Sequence, residues 1–157
     1  MDSKKMLQEE LSRSVFIDPW HGASLKDILE SVTPEKVFLK PGINTHSIIE
    51  LTLHINSWME EVLNRFEGSI PSIPVSGDWP VPENETPEFW ETVKQRFYDN
   101  TNKLISVIDN FPDSKLTELV GGERNAALGT GFSFHGMIIG LLQHNAYHAG
   151  QISLLKK

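Results

Sequence analysis

Apolar residues return every three or four positions through most of this chain, and the runs are separated by breaks rich in proline and glycine. Such spacing lines side chains along one face of an α-helix, so the pattern predicts helices. Met6, Leu7, Leu11 and Val15 form the first run, and Asp18-Pro19 interrupts it, which predicts a helix end between Ser14 and Phe16. Ser24 then offers an N-cap, and Leu25, Ile28, Leu29 and Val32 resume the apolar face of this interrupted first helix. Thr33-Pro34-Glu35 reads as a short capped turn that Pro41-Gly42 closes.

The second long helix has a defined start, because Ser47 and Glu50 have the spacing of a capping box. Leu51, Ile55, Trp58, Val62 and Phe66 follow as one seam with His54 beside it, and Gly68 ends the helix. Thr86-Pro87-Glu88 opens a third helix, whose Trp90, Val93, Phe97, Leu104 and Ile108 repeat at core spacing until Pro112. Gly121, Gly122, Gly129 and Gly131 mark a loose region, after which Ser133 can cap a last helix running to the C-terminal lysines. No alternating strand pattern or internal repeat occurs. The fold class expected is all-α: a four-helix bundle in one domain over residues 1–157, with its first helix interrupted.

Residues Ser69 to Glu85 break every period. Pro71, Pro74, Pro80 and Pro82 stiffen this long loop between helices two and three, and Ile70, Ile73, Val75, Trp79 and Val81 give it apolar surface with which to dock.

Composition narrows the function classes. A length of 157 residues with 39% hydrophobic and 22% charged residues suits one globular domain. A net charge of -7 without a basic cluster repels phosphate backbones, so nucleic acid is not an expected partner. No apolar stretch approaches membrane-spanning length and the N-terminus has no apolar signal core, so no membrane partner and a cytoplasmic location are the expectation. The absence of cysteine excludes thiolate metal sites and cysteine nucleophiles, leaving nitrogen and oxygen as metal donors.

Six histidines carry the remaining chemistry. Met137, Leu141, His144, His148, Gln151 and Leu155 advance by threes and fours, so both histidines face the core as neighbours one turn apart. Two readings stand. An inward histidine can be a core residue hydrogen-bonded to a carbonyl, or it can be a metal ligand. Two on one line with His54 on a second core face bring ligation level with the core reading, since several unmatched imidazoles in a bundle core each carry a desolvation cost.

Leu53-His54-Ile55 with Trp58, and above all the His144-Asn145-Ala146-Tyr147-His148-Ala149-Gly150-Gln151-Ile152 segment, resemble the DinB-like (YfiT-like) superfamily. Asp18-Pro19-Trp20-His21-Gly22, the Ser47/Glu50 pair and Asp78-Trp79-Pro80 resemble further landmarks of one branch, so the similarity spans nearly the whole chain. The resemblance implies a four-helix bundle in which His54, His144 and His148 bind one divalent metal ion, zinc or nickel. It also implies a metal-dependent hydrolase, or a transferase that uses a low-molecular-weight thiol as cosubstrate, acting on a small-molecule substrate in a homodimer. The alternative is a non-catalytic stress-response or binding module with a structural or vestigial metal site. Three imidazoles leave an open coordination position, which suits catalysis.

Other residues have lesser expected roles. Gln151 is a candidate to hydrogen-bond at the site, with plain helix packing the favoured reading. Glu50 could orient His54, though its capping box already accounts for it. Trp58 and Tyr147 are candidate pocket residues, although aromatic residues at helical spacing are usually core. His21 falls in a turn, His46 before a helix cap and His135 in the first turn of the last helix, where surface or capping roles are expected. Asp78 is expected not to be a ligand, and its loop to lie at the mouth of the metal pocket.

Overall fold

The computed structural model describes residues 2–157 and contains six α-helices: α1 (Ser3–Phe16), α2 (Leu25–Glu30), α3 (Pro34–Val37), α4 (Ile48–Phe66), α5 (Pro87–Asn110) and α6 (Phe134–Leu155). A single 3₁₀ turn covers Asp113–Lys115. The only β-type pairing among the described residues is an isolated bridge between Leu119 and Ser133.

The four long helices form the bundle. Each packs against two others, α4 on α5 and α6, and α1 on α5 and α6, which sets α1 diagonal to α4 and α5 diagonal to α6. This arrangement makes α4 and α6, the carriers of His54 and of His144 and His148, direct neighbours. Leu11, Ile55, Phe97 and Ile138, one from each long helix, are fully buried where the helices meet. Removing such a side chain costs about 2–5 kcal/mol.

The helix starts follow from local chemistry. Ser47 Oγ accepts from the Glu50 amide and the Glu50 carboxylate accepts from the Ser47 amide at 2.8 Å. Ser133 Oγ accepts from the Gly136 amide at 3.0 Å, so α6 also begins at a fixed residue. Ser24 and Asp27 form a second capping box that gives α2 a start of its own, and this short helix packs on α1 and α6. Thr33, expected to cap α3, makes no side-chain cap bond there; Pro34 at the first position leaves one fewer amide to satisfy.

Both long loops are built rather than loose. In the segment around the four glycines, the Val120 amide donates to the Phe132 carbonyl and the Val120 carbonyl accepts from the Gly131 amide, and buried Thr130 holds the Glu123 carbonyl and the Asn125 amide with its hydroxyl. In the loop after α4, Gly77 adopts φ +93° with its amide bonded to the Pro74 carbonyl at 2.8 Å. That left-handed turn is open to glycine at little cost and delivers Asp78 and Trp79 against α4.

Candidate metal centre

His54 lies two turns inside α4, and the capping box fixes the rotation of that helix. His144 and His148 lie one turn apart on α6. Packing of the two helices gathers the three imidazoles: ring centroids are 4.9 Å apart for His54 and His144, 4.8 Å for His54 and His148, and 4.6 Å for His144 and His148. One nitrogen from each ring lies within 4.8 Å of the others, the one group of potential ligands found among the described residues.

The second nitrogen of two rings is held. His54 Nδ1 lies 2.5 Å from the Asp78 carbonyl oxygen, and a carbonyl only accepts, so Nδ1 carries the proton and Nε2 presents a lone pair. His148 Nδ1 likewise donates to Gln151 Oε1 at 2.5 Å, which frees its Nε2. His144 Nε2 faces His54 Nε2 at 2.9 Å. Nitrogens bound to one tetrahedral zinc ion stand about 3.4 Å apart, given bonds of about 2.1 Å, so modest side-chain adjustment would converge them on one ion.

Electrostatics favour the neutral, metal-binding form of every ring. Burial depresses the pKa of all three, with the neighbouring imidazoles adding to the effect, and His144 is pushed down to about 4. Gln151 and Asp78 oppose this without reversing it. The donor set therefore fits a divalent ion: neutral imidazoles, two of them with ring orientation set by an outer hydrogen bond.

The loop after α4 packs directly on the triad. The Trp79 indole lies face to face with His54 on one side, centroids 3.8 Å apart, and with His46 on the other at 3.6 Å. Asp78 Oδ1 accepts from Trp58 Nε1 at 2.7 Å. Asp78 thus contributes its backbone carbonyl to His54 and its carboxylate to Trp58, with the same Oδ1 3.4 Å from His54 Nδ1.

Two of the three histidines, His54 and His144, line a cavity of about 720 Å³ together with Trp58, Met137, Phe132 and Arg65, among others. At its far end Arg65 and Glu61 form a buried ion pair with Nε and Oε1 3.0 Å apart.

Several sequence readings change. Gln151, favoured as plain packing, instead holds His148 in place. Trp58, placed on the core seam and named as a candidate pocket residue with core as the usual role, is half-buried at the cavity. Tyr147 is two-thirds exposed and touches the site only through its ring edge near His148, because α6 turns it outward. Glu50 pairs with Lys40 and caps Ser47, which leaves no contact to His54. His21 stays in the exposed turn before α2, away from the triad contacts. His46, assigned a surface or capping role, stacks on Trp79. The Glu61/Arg65 pair was not anticipated at all: two charges one turn apart on a helix ordinarily signal a solvated face, and nothing local reveals that loops will cover them.

The sequence model of the DinB superfamily matches residues 20–152. No curated protein and no solved structure gives a significant match.

Proposed function

The chain belongs to the DinB superfamily, and on that footing we propose that it is a metal-dependent enzyme, a hydrolase or a low-molecular-weight-thiol S-transferase, with His54, His144 and His148 as ligands to one zinc or nickel ion. The observation that carries this reading is the convergence of three neutral imidazoles with no fourth protein ligand in the group, two of them lining a cavity. When bound, a divalent ion supplies Lewis acidity, the property by which water or a thiol becomes nucleophilic near neutral pH.

The chain's own residues supply the rest. The Asp78 carbonyl and the Gln151 amide oxygen hold Nδ1–H of His54 and His148, so each ring keeps its Nε2 lone pair aimed inward. Trp79 covers one face of His54 and keeps water from that side. Trp58, Met137 and Phe132 give the cavity an apolar lining that excludes bulk water from a substrate seated beside the triad. A thiol used in catalysis comes from a cosubstrate, since the chain has no cysteine.

The test is a screen of zinc- and nickel-loaded protein against small thiols paired with electrophiles, beside ester and amide substrates. Turnover that needs thiol identifies the transferase, and turnover of esters or amides alone identifies the hydrolase. No turnover in any arm with a stoichiometric metal bound turns the reading towards the non-catalytic module.

We also propose a homodimer. The fully exposed Trp20 side chain, with exposed Ile17 nearby in sequence, is apolar surface of the kind that association covers. Light scattering at micromolar concentration tests this, and a monomer would refute it.

A further inference from the structure

We propose that the cavity beside the triad takes an elongated, neutral small molecule with an apolar body and a hydrogen-bond-accepting oxygen, and that the Arg65 guanidinium binds that oxygen. The inference deepens the reading above, on which it rests for placing the reacting end at His54 and His144.

Size and lining come first. The cavity volume of about 720 Å³ is that of a small-molecule site, and its walls are largely apolar. Gly140 of α6 lines it, and a Cβ built there meets nothing within 4 Å. Glycine inside a helix weakens the helix, and here its missing side chain leaves room in the cavity.

Arg65 supplies the polar end. Its residue is 3% exposed, and two of its nitrogens are engaged: Nε donates to Glu61 Oε1 at 3.0 Å, and Nη2 donates to the Leu128 carbonyl at 2.7 Å and the Ser72 carbonyl at 3.4 Å. Nη1 has only the Met137 sulfur at 3.9 Å, and thioether sulfur is a weak acceptor. A buried guanidinium nitrogen without an oxygen partner is costly, so a ligand oxygen delivered there gains a full hydrogen bond.

Charge selects a neutral acceptor. Glu61 already neutralises Arg65, and the Asp78 carboxylate lies towards the triad end of the same lining. An anion seated at Arg65 would find a guanidinium whose charge Glu61 already balances, in a protein whose net charge is -7. A carbonyl, amide or sulfonyl oxygen meets Nη1 without that penalty. Arg65 is eleven residues beyond His54 on α4, roughly 16 Å along the axis at 1.5 Å per residue, so a molecule reaching both ends is elongated.

The experiment titrates the full chain, zinc-loaded and metal-free, with three fluorescent probes on one naphthalene frame: 2-dimethylaminonaphthalene, its neutral 6-propionyl ketone and its 6-sulfonate. Metal stoichiometry is measured on the same samples. The ketone is expected to bind about ten-fold tighter than the parent and tighter than the sulfonate. Gly140→Leu should weaken the ketone by about ten-fold or more while the metal stays bound, because the leucine occupies the cavity. Arg65→Lys should erase the advantage of the ketone over the parent and spare the parent's own affinity. Should Arg65→Lys fail to fold, the ratio of ketone to parent in the unmodified chain and the Gly140→Leu result decide the matter. Equal affinity of ketone and parent, preference for the sulfonate, or undiminished binding in Gly140→Leu would overturn the inference. Metal binding without ketone binding defeats this inference alone; ketone binding without metal binding defeats the metal-site reading and leaves this one standing.

Discussion

The Gln151 amide oxygen lies 2.5 Å from Nδ1 of His148, one turn earlier on the same helix. This contact fixes which nitrogen of His148 carries the proton and which is free. Gln151→Leu keeps the bulk and removes the acceptor, and it should weaken zinc affinity by about 10-fold or more with helical content unchanged. Competition against a chromophoric chelator measures it; an unchanged affinity would mean that His148 needs no orienting partner.

The ligands themselves should be indispensable to metal and dispensable to fold. His144→Ala or His148→Ala is expected to abolish stoichiometric zinc or nickel binding after desalting, while the circular dichroism of the helices persists. The apolar contacts between α1, α4, α5 and α6 do not run through the imidazoles. Retention of one ion per chain in either variant would contradict this.

Asp78 and Trp79 should separate cleanly. Because the hydrogen bond to His54 Nδ1 comes from the Asp78 carbonyl, with the carboxylate Oδ1 farther off at 3.4 Å, Asp78→Asn should leave metal affinity within about three-fold, as expected when the orienting bond survives. Trp79→Ala removes the ring between His46 and His54 and should loosen the loop, seen as faster amide exchange over residues 76–82. A metal loss with Asp78→Asn as large as with His144→Ala would make Asp78 a ligand.

Acid should destabilise the metal-free protein earlier than carboxylate titration alone predicts. In the fold His144 titrates at about 4, whereas its ordinary value is 6.5. Between those values the unfolded chain binds more protons than the folded one, so the contribution is present above about pH 6.5 and is lost as pH falls towards 4. For His144 the loss is at most about 3 kcal/mol. Urea midpoints at pH 7 and pH 5 measure it; wild type should lose more over this interval than His144→Ala, and equal losses would disprove the assignment.

The buried ion pair should behave asymmetrically. Arg65→Met strands the Glu61 carboxylate, which also accepts from the Ser72 amide, and should cost about 3–5 kcal/mol in chemical denaturation. The double change Glu61→Gln with Arg65→Met should recover part of that loss. A single-site cost below about 1 kcal/mol would show that water reaches the pair.

The helices and the histidine group were legible because both depend on local chemistry. Serine caps at 24, 47 and 133, a threonine cap at 86 and three-four spacing act within one or two turns, and they place the helix starts and the core faces directly. His144 and His148 share a face by helical geometry alone, whatever the rest of the chain does. What surrounds them was not legible in the same way. The Asp78 carbonyl on His54, Trp79 between two imidazoles, and Arg65 spanning from Glu61 to Leu128 each join segments that no period relates. A backbone carbonyl carries no residue signature, and an i,i+4 ion pair looks the same in sequence whether water or a loop covers it. The sequence by itself determined the helices, the core faces and the three histidines, because spacing and capping are short-range. Only the tertiary structure decided which nitrogens are free, which face of His54 is covered and where the cavity lies, because those follow from how the two long loops dock on α4 and α6.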